Sequence, residues 1–463
     1  MIDVGSYVTN LVRMYGSRPV AVFGLGMSGI SVIKALRNAN AEVLAWDDHK
    51  ESHEEAERAG AILTPLDQET LSECAALILA PGVPLHFPQP HPVVEAARAA
   101  GIEIYGDIEV FYRSHPSCKT IGITGTNGKS TTTALIAHIL KVCGRDVQVG
   151  GNLGTPVLNL ETPHKNTILV LELSSFQVDL CPTFRPDIAV LLNVTPDHIE
   201  RHGTLENYIA VKERIFEGQG TAILGIDDEI TQAMQARVQK GERELIPISG
   251  EKLVKDGISV SNGILYGRKT ELGSLNAMTT LWGTHNHQNA AAAYAACRSC
   301  GLEPIEIYEA MKTYPGLPHR QYPVRAINGV TYINDSKATN AESTARALAC
   351  HKNIYWILGG RKKDGGINGL ERYFDKIRHV FLIGESAEEF SARLDKYKMP
   401  YEINGTLEAA LESAHAMAQS ERGQPGGATV LLSPACASYD QFKNFEERGN
   451  RFTWLVENLE EAA

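Results

Sequence analysis

Short apolar runs recur along the chain, and most are followed by a turn and then by apolar residues at helical spacing. The runs at 19–23, 42–46 and 76–80 come first, those at 120–123, 167–171 and 187–194 follow, and those at 329–334, 354–358, 379–383 and 429–432 close the series. Runs this short and this rich in Val, Ile and Leu fit strands buried on both faces, as in parallel sheets. Between them the period changes. Ile30, Ile33 and Leu36 follow the first strand, while Leu135, Ile136, Ile139 and Leu140 follow 120–123 with Gly144 placed to end the helix. Alternating strand and helix predicts an α/β protein.

A chain of 463 residues is too long for one core, and at about 150 residues per domain it predicts about three. Ser114-His115-Pro116-Ser117 and the proline- and glycine-rich 315–320 read as linkers. The expected domains are therefore 1–113, 114–315 and 316–463: a Rossmann-like domain, a P-loop-type ATPase domain, and a second Rossmann-like domain.

Composition narrows the function classes. A net charge of −11 argues against a nucleic-acid partner. No apolar run approaches the roughly 18 residues a membrane span needs, and residues 1–5 lack the layout of a signal peptide, so a cytoplasmic protein is expected. Eight scattered cysteines do not form a disulfide framework. The CxxC of Cys297 and Cys300 has no second pair to complete a zinc site and reads as two small helix residues.

Candidate chemistry concentrates where strands end. After 120–123 comes Thr124-Gly125-Thr126-Asn127-Gly128-Lys129-Ser130, and the helix follows at once. Strand, glycine loop and helix form a phosphate cradle, in which backbone N–H groups and Lys129 meet the anion and the hydroxyl of Ser130 or Thr131 reaches Mg2+. The strict P-loop spacing has glycine where Ile123 stands, so this is a variant. Gly24-Leu25-Gly26-Met27-Ser28-Gly29, with Asp47 about 20 positions on, carries a pyrophosphate-and-ribose signature that suits either a dinucleotide or a nucleotide sugar. Pro81-Gly82-Val83-Pro84 follows another strand. Glu172, at the end of 167–171, reads equally as a Mg2+ ligand or as a helix-start acid. His198 follows a third strand of the same segment, Lys212 stands out little, and the pair His285 and His287 is a weak metal signal.

Taken together, TGTNGKST at 124–131, ELSSFQ at 172–177, NVTPDH at 193–198, HN at 285–286, GLPHR at 316–320, NDSKATN at 334–340 and SPACASYDQFKNFEERG at 433–449 resemble the Mur ligases of bacterial cell-wall synthesis. ELSSFQ and the last stretch are most similar to the members that add D-glutamate to UDP-N-acetylmuramoyl-L-alanine. The resemblance implies an ATP-dependent ligase of peptidoglycan precursors that forms an amide bond through an acyl phosphate, acts with two Mg2+ ions, and works as a monomer. It implies nucleotide contacts from Gly125, Thr126, Asn127, Gly128, Lys129, Ser130, Thr131, Asn289, Arg320 and Asp335. Ser130 and Glu172 match ligands of one ion, and His198 with Lys212 those of the other, Lys212 being carbamylated in the family. Lys129, His198 and Lys212 thus carry the catalytic roles.

For the UDP substrate the matching positions are Gly24, Leu25, Gly26, Ser28, Asp47, Gly82 and Asn152. For D-glutamate they are Lys337, Thr339, Lys363, Ser438 and Phe445. Two departures stand out: Asp48 and His49 replace the Thr and Arg of some relatives beside the uracil, and Gln321-Tyr322-Pro323 replaces a commoner Phe-Glu-Val. A nicotinamide oxidoreductase would use only the first segment and a nucleotide switch only the second, whereas the ligase uses all three.

Overall fold

The computed structural model describes residues 8–114, 117–268, 270–363, 365–421 and 427–459. Residues 1–5, and His115 and Pro116 of the expected boundary, lie outside them. Among the described residues the strands form three sheets.

In the first sheet, Val20–Phe23, Val43–Trp46, Ile62–Leu63, Ala76–Leu79 and Glu103–Tyr105 are all parallel and lie in the order third, second, first, fourth, fifth. The order reverses between Val20–Phe23 and Ala76–Leu79. Loops leaving those two strands therefore diverge and leave a crevice at their carboxyl ends, where such sheets bind ligands. One loop is Gly24-Leu25-Gly26, which opens the helix Met27–Asn38; the other holds Gly82.

The second sheet has nine strands. Lys119–Thr124 lies between Ile168–Glu172 and Ile188–Leu191, all parallel, and its Ile123 pairs with Glu172 on one side and Val190 on the other. That register brings three carboxyl ends level. Ile121, Ile123, Leu169, Val170, Leu171, Ala189 and Val190 are fully buried, which is why these strands read as unbroken apolar runs. Val147–Gly151 forms one edge. On the other side Gly220–Gly225, Arg243–Ser249 and Ile258–Ser261 continue in parallel before Ile264–Gly267 and Thr270–Ser274 finish the sheet antiparallel.

The third sheet runs Tyr322–Ile327, Val330–Asn334, Ala428–Leu432, Ile354–Gly359, Ile377–Ile383, Tyr401–Gly405 in space, parallel except for the first pair.

The chain divides into two compact units, Met1–Leu275 with Asn286–Tyr314, and Asn276–His285 with Pro315–Ala463. The first unit holds two sheets because one apolar core, including Tyr105, Phe111, Leu169 and Leu171, runs through both. Buried Glu109 adds a polar tie: it accepts from the backbone N–H groups of Thr183 and Phe184 and from Arg113 Nε. Residues 276–285 join the second unit through contacts of their own. The Trp282 ring lies 5.8 Å from that of His351, and the Trp282 carbonyl accepts from Cys350 Sγ at 3.9 Å. All eight cysteines are free, with Cys297 buried in the helix Thr284–Ser299.

Trp356 is fully buried in the third sheet and donates through Nε1 to the Ser433 carbonyl at 2.7 Å. Trp356→Phe removes that donor and part of the packing, and is expected to lower the unfolding free energy by about 2 kcal/mol or more in a denaturant titration.

Candidate active site

The phosphate loop is fastened to Asn193 by three hydrogen bonds. Thr126 N–H donates to the Asn193 carbonyl at 2.9 Å, Asn127 N–H donates to Asn193 Oδ1 at 2.9 Å, and Asn193 Nδ2 returns a bond to the Asn127 carbonyl at 3.2 Å. Asn193 also donates to Gln288 Oε1, whose own amide donates to Asp227. Asn289 lies against the loop and accepts from Thr132 Oγ1 at 3.1 Å. Gly128 has φ +85°, and a Cβ there would stand 2.3 Å from Asn289 Oδ1, so a side chain at this position strains the backbone and forces Asn289 to move. Lys129 begins the helix Lys129–Val142, with buried Ser130 and half-buried Thr131 in its first turn.

Two lysines converge on the carbonyl of Gly125. Lys129 Nζ donates to it at 2.9 Å and to the Thr126 carbonyl at 2.8 Å. Lys212, from the helix Leu205–Glu213, is buried, and its Nζ donates to the same Gly125 oxygen at 3.0 Å and to Thr124 Oγ1 at 3.3 Å. Burial drives the Lys212 pKa well below the ordinary lysine value; the charge of Lys129 pushes the same way, and Asp197 opposes them. The surroundings therefore favour the neutral form of this amine over the ammonium.

Glu172 ends the strand next to the loop. Its Oε1 accepts from Asn152 Nδ2 at 2.6 Å, while Oε2 is buried without a hydrogen-bond partner. A buried carboxylate oxygen left in that state beside a phosphate cradle fits a divalent cation. Among the described residues no group of three or more His, Cys, Asp or Glu could hold a metal ion, so further donors would have to include hydroxyls, phosphates or a modified side chain. His198 has φ +53° and a half-exposed ring near Asp197 and Glu200. His198 and Lys212 are joined by a row of rings: His198 to Phe176 at 5.0 Å, Phe176 to His202 at 5.6 Å, His202 to Tyr208 at 5.2 Å, and Tyr208 to Lys212 Nζ at 4.7 Å.

In the crevice of the first sheet, Asp47 Oδ2 accepts from Leu25 N–H at 2.6 Å and Oδ1 from His49 N–H at 2.8 Å. Burial raises the Asp47 pKa, but these N–H groups outweigh it and hold the carboxyl below its ordinary value. The carboxylate thus braces the glycine turn from the neighbouring strand. Ser28 stands half-buried in the first turn of its helix. A Cβ at Gly82 would meet nothing within 4 Å, so that side of its loop is open.

The second unit gathers its candidates on loops at the ends of Val330–Asn334 and Ala428–Leu432. Asp335 is buried, accepting from Ser433 Oγ at 2.7 Å and from Gln321 N–H at 3.1 Å. Lys337 Nζ lies 4.1 Å from the centre of the Phe445 ring. Thr339 N–H donates to the Lys337 carbonyl at 2.8 Å, Ser438 is buried, and Lys363 is exposed on a separate turn. Arg320, half-buried, sits in the loop before Tyr322–Ile327.

Sequence reasoning passed over Arg448, which is fully buried. It donates through Nε to Ser336 Oγ at 2.9 Å and through Nη2 to the carbonyls of Ser336 at 2.7 Å and Cys436 at 3.1 Å. It clamps the loop of Lys337 to the loop of Ser438. The signal available was an arginine three positions after Phe445 on the same helical face. Tyr208 was passed over too; its hydroxyl meets Thr126 Oγ1 at 3.1 Å.

Gly128→Ala is expected to displace Asn289 and weaken ATP binding on the order of tenfold or more, measured by calorimetry. Asp335 gives a pH signature. Burial pushes its carboxyl up to about 7, against Ser433, Gln321 N–H and Arg320. The folded chain therefore retains a proton that the unfolded chain releases near 3.8, so this stabilisation is complete below that pH and is lost as pH rises through about 7. Asp335→Asn cannot ionise, and its Tm should fall less than that of the parent between about pH 5 and about pH 8.

Family models match along the chain: "Mur ligase MurD-like, N-terminal domain" over residues 18–106, "Mur ligase middle domain" over 123–297, and "Mur ligase, glutamate ligase domain" over 319–436. The protein of Rhizobium meliloti (strain 1021) named "UDP-N-acetylmuramoylalanine--D-glutamate ligase" is 47% identical over 457 residues, covering 97% of this chain and 98% of that one. The protein of the same name from Brucella abortus (strain 2308) is 48% identical over 444 residues, covering 94% of each. Among solved structures, the UDP-N-acetylmuramate-alanine ligase MurC of Thermotoga maritima aligns with a TM-score of 0.59 at 18% identity, over 95% of this chain and 99% of that one. MurF of Acinetobacter baumannii aligns with a TM-score of 0.59 at 17% identity, over 98% and 99%. These two likenesses carry the three-domain fold, and the identities over nearly the whole length carry the kinship: this chain belongs to the Mur ligase family.

Proposed function

We propose that this chain is the ATP-dependent ligase that joins D-glutamate to UDP-N-acetylmuramoyl-L-alanine, forming an amide bond in a peptidoglycan precursor. The observation that carries the reading is the identity of 47% over 97% of the chain to a ligase of that name. The phosphate loop, with its two lysines on one carbonyl, supplies the chemistry. In this reading residues 1–113 take the UDP end, 114–315 the ATP and 316–463 the D-glutamate, and the reaction runs in the cytoplasm.

The difficulty of the first step is electrostatic, because the γ-phosphate must approach a carboxylate of like charge. Lys129 and the N–H groups of the loop and helix start would hold the phosphates. A carboxylate oxygen of the substrate attacks the γ-phosphorus, the bond to ADP breaks, and an acyl phosphate results. The neutral amine of D-glutamate then attacks the acyl carbon, phosphate leaves with the bonding pair, and the nitrogen gives up one proton to solvent as the amide forms. Bound Mg2+ would neutralise phosphate charge, with Ser130 and Glu172 as donors to one ion and His198 and Lys212 to a second. Lys212 can serve only after modification, since an ammonium has no lone pair and an amine is a weak ligand for a hard cation. Its lowered pKa favours the neutral amine, the form that adds to CO2: the N–C bond forms, a proton leaves, and an anionic carbamate remains. Asn289, Arg320 and Asp335 would hold the nucleotide. Lys337 and Lys363 suit the carboxylates of D-glutamate, with Thr339, Ser438 and Phe445 around them.

Phosphate release from ATP, measured with UDP-N-acetylmuramoyl-L-alanine and a panel of amino acids, should occur with D-glutamate; release only with another amino acid overturns the assignment. Lys212→Ala should lower kcat on the order of 100-fold or more. Protein equilibrated with 13C-labelled CO2 should show a carbamate NMR signal that Lys212→Ala lacks.

A further inference from the structure

Arg201 connects two loops of the first unit that carry different ligand positions. It sits in the helix Ile199–His202, directly after His198. Its Nη2 donates to the Pro81 carbonyl at 3.2 Å and to the Val83 carbonyl, so one nitrogen grips the backbone on either side of Gly82. The guanidinium also lies 5.2 Å from the centre of the Phe176 ring, whose other neighbours are His198 and His202.

Peptide geometry turns that grip into an orientation. The Pro81 carbonyl and the Gly82 N–H belong to one planar trans unit and point opposite ways, so fixing the oxygen fixes the N–H. Val83 carries the constraint further, because its Cγ2 stands 3.2 Å from where a Cβ on Gly24 would be. A second tie repeats the link. The Phe87 ring covers Gly203, where a Cβ would stand 2.7 Å from ring carbons, and His86 Nε2 lies 3.9 Å from Asp179 Oδ2.

The residue type is costly for mere packing. Arg201 lines a cavity of about 560 Å3, and its Nη1 is buried without a hydrogen-bond partner. A neutral side chain would fill the same wall without the desolvation of a charge. What an arginine adds is the hold on two carbonyls at once.

We propose that Arg201 is a positioning residue for the UDP-linked substrate: it orients the Gly82 peptide toward that substrate and ties it to the turn carrying His198. The inference rests on the ligase reading above. Under it, the substrate carboxylate is aligned through the same brace that sets the His198 turn.

Steady-state kinetics of Arg201→Ala and Arg201→Lys test it, with ATP, D-glutamate and UDP-N-acetylmuramoyl-L-alanine varied in turn. Arg201→Ala should raise the KM for the UDP substrate about tenfold or more while the KM for ATP stays within about twofold, and Arg201→Lys should recover part of the loss. Calorimetry without the UDP substrate should show ATP analogue binding unchanged in both variants. Unchanged KM for the UDP substrate, or equal rises in both KM values, overturns the brace. If Arg201→Ala does not fold, the same split in Arg201→Lys decides. A parent protein that binds no UDP-N-acetylmuramoyl-L-alanine in calorimetry refutes the ligase reading itself, and the brace with it.

Discussion

Lys129 and Lys212 both end on the carbonyl oxygen of Gly125, one from the helix that starts the phosphate cradle and one from a helix about 80 residues later. Two ammonium groups so close, one of them buried, would repel each other across a medium that screens poorly. Burial and the neighbouring charge resolve the conflict by lowering the Lys212 pKa. The rest of the centre is consistent with that asymmetry. Glu172 contributes a buried oxygen with no donor to meet it, and the rings of Phe176, His202 and Tyr208 form a row between His198 and Lys212.

Much of the fold was legible because parallel strands announce themselves. Runs such as Ile168–Glu172 and Ile354–Gly359 are buried along their whole length, and no alternation is needed to see them. The edges were less legible. Tyr322–Ile327 and Tyr401–Gly405 are half-exposed, Val147–Gly151 ends in two glycines, and the final antiparallel strands of the second sheet, Ile264–Gly267 and Thr270–Ser274, are short and mostly accessible. Their pairing supplies what their composition does not. The helix Thr284–Ser299 starts earlier than its alanine run, because His285, Asn286 and His287 lie within it.

The site divides in the same way. Lys129 and Glu172 could be picked out by position, since each sits at the end of a recognisable strand. Lys212 could not, because nothing local distinguishes it from any surface lysine on a helix; only its burial and its two acceptors do. Arg448 is the same case in the second unit. It stands in a helix of charged residues, and what sets it apart is two loops about 100 residues apart that close on its guanidinium. Residues that act by bracing carry little signature of their own, since their meaning lies in the acceptors they find.

The chain passes between the two compact units at 275/276, at 285/286 and at 314/315. They are therefore not beads on one string. A protease cut after Tyr314 would free neither piece whole, because residues 276–285 would stay covalently with the first unit while packing with the second. Gene fragments designed for separate expression meet the same obstacle, and because the segments alternate between the units, moving the chain ends by circular permutation leaves them interleaved.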